Sequence, residues 1–319
     1  MNLKSKKLET EAYANETSTQ MALKIEIIKI YNSDEMNEEN TILIDSEVDP
    51  VDIEKIKNVY SSAKKLFLEI MVSDPSDKFV TIEIDPYGYT NSKREKKDGI
   101  TYFGYQTGEW GVDYELKNPD NFYYDDAFNG KHFMIKFNPD DLKYYIKDLG
   151  RGFGTFVKIQ EWIELKNNLL LNIGENYIVF SLGDEEEEMD NDIDNNKNEN
   201  KKELSSYKNN HDYSLNIKIF SMKSQKVFKL SPDNCPITLG RSSDNNIVID
   251  DDMLSRIHCT IDYSNYKWYI QDGYAKNGLQ EEEIKKSTNG SWIFAFEEIP
   301  ITDKMIFKAN HNLFICNLV

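Results

Sequence analysis

Between Asp184 and Asp212 the sequence reads DEEEEMDNDIDNNKNENKKELSSYKNNHD. These 29 residues carry 11 acidic and 4 basic side chains, a net −7. With almost no apolar content, such a segment cannot repay its ordering entropy. It is expected to be a disordered, self-repelling linker over residues 184–212. It splits the 319-residue chain into two blocks, 1–183 and 213–319, a length suited to two domains or three small ones. Asp190-Asn-Asp192-Ile-Asp194 opens like a calcium loop. The sixth position, however, is Asn195 instead of glycine, and the twelfth is Lys201 instead of glutamate. The pattern fails, and no metal is expected.

Charge narrows the partners. The chain is formally −18, with −10 in residues 1–183 and only −1 in 213–319. So acidic a molecule repels nucleic acid and anionic membranes, and neither is expected as a partner. No apolar run approaches the ~20 residues of a membrane span, and the first twenty residues hold no secretory core. Three cysteines (Cys235, Cys259, Cys316) without a Cys-x-x-Cys pair indicate a reduced intracellular compartment, cytoplasmic or nuclear. The four histidines lack a nucleophile-and-base pattern, and residues 1–183 hold no kinase, phosphatase or metal motif. Gly150-x-Gly152-x-Gly154 lacks dinucleotide-loop spacing. Neither enzymatic activity nor a cofactor is expected.

Both blocks alternate apolar and polar residues with period 2. Leu215, Ile217 and Ile219 do so, as do Ile257, Cys259, Ile261 and Tyr263, then Trp268 and Ile270. His132–Phe137, Lys143–Lys147 and Tyr177–Ser181 read the same way. Short strands between Asn/Asp/Gly/Ser turns predict antiparallel β-sandwiches. The fold class is therefore all-β, with a mixed N-terminal extension. Residues 1–22 read as a disordered tail. Residues 23–76 are an extension of undecided fold, with a strand at Lys24–Ile30 and a helix over Val51–Lys65 whose apolar face would be Ile53, Ile56, Val59 and Ala63.

The chemistry concentrates in three loops of the last block: Gly240-Arg241-Ser242, Met253-Leu254-Ser255-Arg256-Ile257-His258 and Ser287-Thr288-Asn289-Gly290. Alternate loops of a sandwich gather at one end. An arginine fork pairs bidentately with phosphate oxygens. Serine and threonine hydroxyls donate to further oxygens, and an asparagine carboxamide can grip a peptide main chain. Trp268 and Trp292 read as strand anchors.

Gly240-Arg241, Ser255-x-x-His258 and Asn289-Gly290, in that order, resemble the signature of the forkhead-associated (FHA) domain over roughly 213–319. The resemblance implies an eleven-stranded two-sheet sandwich that binds phosphothreonine peptides through its loops. It gives Arg241, Ser255, Arg256 and Thr288 to the phosphate and Asn289 to the peptide backbone. His258 would brace the loops, Gly240 and Gly290 would permit tight turns, and Met253 would give an apolar or undemanding preference, not an acidic one, at the third position after the phosphothreonine. The family usually passes from the strand-ending aspartate straight into its Asn-Gly turn. Here Asp272 is followed by fourteen residues, 273–286, that read as an inserted loop and offer a competing pair, Asn277-Gly278. Asn289 is favoured, with Lys276 and Asn277 as auxiliary or alternative contacts. Lys276, Lys285 and Lys286 would add positive potential, opposed by Glu281, Glu282 and Glu283.

Residues 77–183 resemble a degenerate copy of the same domain. Asp148-Leu-Gly-Arg-Gly-Phe-Gly-Thr155-Phe-Val keeps the scaffold, with His132. Tyr105, Asn129 and Phe153 stand where arginine, serine and asparagine are expected, and Lys131 and Arg151 are a weak substitute for an anion site. The resulting expectation is a phosphothreonine-dependent adaptor; its rival is a scaffold that binds through both sandwiches regardless of phosphorylation. A phosphorylated tail (Thr10, Thr17, or Thr19 of a Thr-Gln pair) docking into a second copy would give homo-association.

Overall fold

The computed structural model describes residues 51–71, 80–94, 97–105, 111–116, 129–183, 213–221, 224–275 and 284–319. The tail, the strand expected at Lys24–Ile30, the acidic segment 184–212, Lys276 and Asn277 lie outside the described residues. Among those residues the protein is all-β apart from short helical turns, and it divides into two compact units. One comprises residues up to 160 together with 292–319; the other is 161–291.

The first described element of the first unit is a helix much shorter than expected, Ile53–Val59. Asp52 caps it, accepting from the amides of Glu54 and Lys55. Only Ile56 of the expected apolar face is fully buried; Ile53 faces solvent. A 3₁₀ turn at Tyr60–Ser62 ends the helical run. Leu66–Met71 is then a strand with alternating burial. It pairs with Val80–Asp85 on one side and with Asn312–Leu318 on the other, Leu66 opposite Leu318. Thus part of the extension at 23–76 is an integral strand, and its neighbour is the last strand of the chain.

That sheet continues through Ile306–Ala309 and Thr155–Lys158 to Ser291–Phe294. The second sheet runs Ile299–Pro300, Lys143–Asp148, Gly130–Asn138, Ile100–Tyr105, Tyr114–Glu115. Aromatic rings fill the space between them. Phe103 stacks on Phe133 at 4.4 Å, and Phe307 stacks on Phe314 at 4.5 Å. Phe133 and Phe314 then meet edge to face at 5.6 Å. These four rings are fully buried and form a cross-sheet cluster of the kind that favours offset or T-shaped contact.

The second unit repeats the plan. One sheet runs Ser224–Leu230, Leu215–Ser221, Asn176–Leu182, Leu169–Ile173. The other runs Ile247–Val248, Ile237–Gly240, Cys259–Ser264, Lys267–Asp272, Ile163–Glu164. Ile178, Phe180, Leu215 and Ile217 from the first sheet, and Ile237, Leu239, Ile261 and Ile270 from the second, are all fully buried.

The blocks expected at 77–183 and 213–319 are therefore interleaved. Residues 163–182 build the sandwich of 213–291, and residues 292–319 build the sandwich of 51–160. Period-2 patterning fixes which face of a strand is buried but not which strand lies beside it. The acidic segment also has a defined base. Leu182 is paired with Leu215, and the Gly183 amide donates to the Ser214 carbonyl at 3.0 Å. Residues 184–212 thus leave and rejoin two adjacent strands of one sheet.

Candidate functional site

At one end of the second unit, loops converge on a cleft of about 560 Å³ lined by Arg241, Ser255, Arg256, Met253, Thr288 and Asn289, together with Ser242, Asp244, Asp252, Leu254, Ile257, Tyr274, Lys285 and Lys286. Arg241, Ser255, Arg256, Thr288, Asn289 and Met253, singled out from the sequence, thus share one cavity. Of the other five candidates, Gly240, His258 and Gly290 hold its walls, and Lys276 and Asn277 lie outside the described residues.

The first wall is two loops stitched together. Arg241 N–H donates to the Ser255 carbonyl at 3.2 Å, and Ser242 N–H donates to the Arg256 carbonyl at 3.1 Å. Gly240 lies so close to this loop that a Cβ would sit 2.4 Å from the Arg256 oxygen. Only glycine fits that approach. The Asn245 carboxamide donates to the carbonyls of both Ser242 and Arg256. Arg241 and Arg256 are consequently fixed at the backbone while their side chains are exposed.

The second wall is the Ser287–Gly290 turn, and it is held by His258 and Asp272. His258 is fully buried. Its Nδ1 accepts the Ser255 amide at 3.2 Å and its Nε2 lies 3.1 Å from the Gly290 carbonyl. With a carbonyl on one side and an amide N–H on the other, the ring is the neutral Nε2–H tautomer. Burial lowers its pKa accordingly. Ser255 Oγ accepts the Thr288 amide at 3.0 Å and lies 3.4 Å from the Thr288 hydroxyl. Asn289 Nδ2 donates to the Met253 carbonyl at 2.7 Å, tying the two walls together.

Asp272 went unassigned in the sequence beyond marking the end of a strand. Its fully buried carboxylate accepts the Ser287 amide, the Ser287 hydroxyl at 2.6 Å and the Ser291 hydroxyl at 2.8 Å. The fourteen residues between Asp272 and Ser287 are accommodated because they form a hairpin, Tyr274–Ala275 against Ile284–Lys285. Gly273, with φ +85°, starts it, and a Cβ there would lie 2.1 Å from the Lys285 carbonyl. The chain leaves at 273 and returns at 287, so the turn bearing Thr288 and Asn289 is restored to the strand end. A carboxylate followed at a distance by Ser-x-x-x-Ser is the signal that could have found this anchor.

A further support comes from a turn that precedes the acidic segment in the sequence. Asp251 accepts the amide of Glu175 at 2.9 Å and the Asn176 carboxamide at 2.7 Å, while its other oxygen accepts the Met253 amide. The loop carrying Met253 and Ser255 is therefore pinned to the turn at Gly174–Glu175.

In the first unit, the residues that correspond in the sequence satisfy one another. Tyr105 is buried edge-on against His132 at 4.8 Å. Arg151 donates to the Asn129 carbonyl at 2.7 Å. Asn310 accepts the Phe153 amide at 2.8 Å and lies 2.7 Å from His132 Nδ1. Lys131 sits over the Tyr102 ring at 4.2 Å.

Among the described residues, no three His, Cys, Asp or Glu side chains gather as a metal site, and no helix is long and apolar enough to cross a membrane. No curated protein matches the sequence. The family model of the FHA domain matches residues 237–303, a stretch that contains the three loops of the cleft. The chain carries an FHA domain, a phosphopeptide-binding module through which proteins engage phosphorylated protein partners.

Proposed function

We propose that this protein is a non-enzymatic adaptor that recognises phosphothreonine on a partner protein through the cleft at residues 240–290. One observation carries the reading. Two exposed arginines, neither ion-paired to a described carboxylate, open into the same cavity as two hydroxyls and a carboxamide, within a chain of net charge −18. In this reading Arg241 holds the phosphate bidentately and Arg256 adds a second cation. The Ser255 hydroxyl hydrogen, directed at the Thr288 hydroxyl across 3.4 Å, turns to a phosphate oxygen while its oxygen keeps the Thr288 amide at 3.0 Å, and the Thr288 hydroxyl supplies another donor. Asn289 contacts the peptide backbone, in preference to Asn277. Met253, 51% exposed at the rim, meets an apolar residue of the ligand.

The first unit serves as structural support in this reading, because its corresponding polar groups are already engaged with one another. The test is fluorescence anisotropy of the full chain with a degenerate threonine-peptide library and its phosphorylated twin. The proposal expects binding of the phosphorylated set alone. Equal binding of both sets would favour a phosphorylation-independent scaffold instead.

A further inference from the structure

A strand at the edge of a sheet exposes a row of unpaired backbone N–H and C=O groups, and proteins commonly keep other chains off it by making it very short. Among the described residues this protein does so at every sheet end but one. Gly88–Tyr89, Tyr114–Glu115, Ile163–Glu164, Ile247–Val248 and Ile299–Pro300 are edge strands of two residues each. Both strands of the separate hairpin beside the cleft are equally short. The exception is Ser224–Leu230, seven residues long, in the second unit. It pairs with Leu215–Ser221 in unbroken register, from Leu230 opposite Leu215 to Ser224 opposite Ser221, with no bulge to twist its outer side away. No described strand lies on that outer side. The strand contains neither proline nor glycine. Val227 at its centre is 58% exposed, the most exposed large apolar side chain of any described strand.

We propose that this edge pairs with the same edge of a second copy of the chain, antiparallel about a two-fold axis through Val227. The sequence SQKVFKL is self-complementary in that register. All seven residues find a partner, and the exposed Val227 meets its own counterpart. Lys226 falls opposite Phe228, whose ring its alkyl stem can cover, and Lys229 falls opposite Gln225. Centring the pairing on Lys226 or Lys229 instead would set lysine against lysine, which destabilises a sheet. Two strands of this length bury less than the ~1,200 Å² at which standard interfaces begin, so the association belongs to the weak, concentration-dependent class. It needs neither a phosphate nor the cleft, and so stands apart from the phosphothreonine reading. Where that reading holds, the pair presents two clefts to one multiply phosphorylated partner, a gain in effective concentration.

The test is sedimentation velocity of the full chain from about 5 to about 500 µM, at about 0.15 M salt, where repulsion between two acidic chains is screened beyond ~8 Å. The wild type should pass from monomer to dimer across that range, and do so equally after phosphatase treatment. Val227→Lys sets lysine against lysine at the centre of the register. Because the side chain is more than half exposed, the fold should survive, as circular dichroism will show, while dimerisation weakens at least about fivefold. Val227→Cys supplies a second reading. Opposed Cα atoms of an antiparallel pair lie about 4.5–5.5 Å apart, within disulfide reach. Mild oxidation should therefore cross-link this variant into a covalent dimer, and should not cross-link Val248→Cys, on a two-residue edge. A wild type that stays monomeric throughout overturns the inference, as does a Val227→Lys chain that associates as well as the wild type. So does a Val227→Cys chain that cross-links no more than Val248→Cys. Dimers that vanish on phosphatase treatment overturn it in favour of a phosphorylated tail docking into a second copy.

Discussion

Replacing His258 with alanine should damage stability and recognition together, because one ring joins both walls of the cleft. The substitution removes the acceptor of the Ser255 amide and the donor to the Gly290 carbonyl. A buried polar group left without its partner costs about 1–3 kcal/mol. Ser255 is half-buried, so its amide recovers part of that cost from water; Gly290 is buried and recovers less. Allowing about 1 kcal/mol for the first and about 2 for the second, the loss is about 3 kcal/mol before any cavity term. Urea unfolding followed by tryptophan fluorescence reads this directly, since Trp268 in the same unit is buried. With the buried tie between the walls gone and only the exposed Thr288–Ser255 and Asn289–Met253 bonds left, the Ser255 and Thr288 hydroxyls are held less firmly in position. Affinity for a phosphothreonine peptide should then fall at least about tenfold, or ~1.4 kcal/mol. A variant whose stability stays within about 0.5 kcal/mol of the wild type, and whose peptide affinity is unchanged, would refute the assignment of His258 as the brace.

Other expectations follow from the same geometry. Gly240→Ala should destabilise the fold and abolish peptide binding, because its Cβ would press on the Arg256 carbonyl; an intact affinity would show that the two loops can separate. Stability should also depend on pH in a defined direction. Burial lowers the pKa of His258 in the folded protein, so the unfolded chain binds the extra proton more readily as pH falls below about 6.5. The contribution is complete above that value and is lost on acidification. His311 is shifted the same way by burial. Urea midpoints should therefore drop between about pH 7.5 and about pH 5.5; a flat profile contradicts the buried neutral rings. Finally, a fragment of residues 213–319 should lack cooperative unfolding and near-ultraviolet ellipticity. It leaves out Leu169–Ile173 and Asn176–Leu182, which pair into the sheet of Leu215–Ser221. A folded, ligand-binding fragment would contradict that pairing.

Much of the site was legible in the sequence, and the reason is local. Arginine, serine and asparagine at loop positions, with glycines where the chain must turn tightly, announce polar strand ends whatever lies around them. The partners of the strands were not legible in the same way. Leu66–Met71 and Asn312–Leu318 bury alternate side chains, yet their near-continuous apolar sequences show neither that alternation nor that Leu66 faces Leu318. Backbone hydrogen bonds carry no residue identity, so reading the blocks in sequence order placed residues 292–319 with the wrong neighbours. The expected long helix failed for a related reason. Ile53, Ile56 and Val59 have helical spacing, but a helix of about two turns suffices to bury Ile56, and the chain then straightens to enter the sheet at Leu66. Asp251 and Asp272 escaped notice because their partners, Asn176 and Ser287, are distant in sequence. A carboxylate between loops looks like any surface acid until the donors around it are known.

The account turns on the guanidinium of Arg241. Isothermal titration of the full chain with a phosphothreonine peptide, repeated with Arg241→Ala, tests it most directly. A charge-assisted hydrogen bond contributes about 1.5–3 kcal/mol, so losing a bidentate pair should weaken binding by at least about tenfold, while the unfolding midpoint of this exposed-site variant stays where it was. Equal affinities for the two proteins would contradict the central claim.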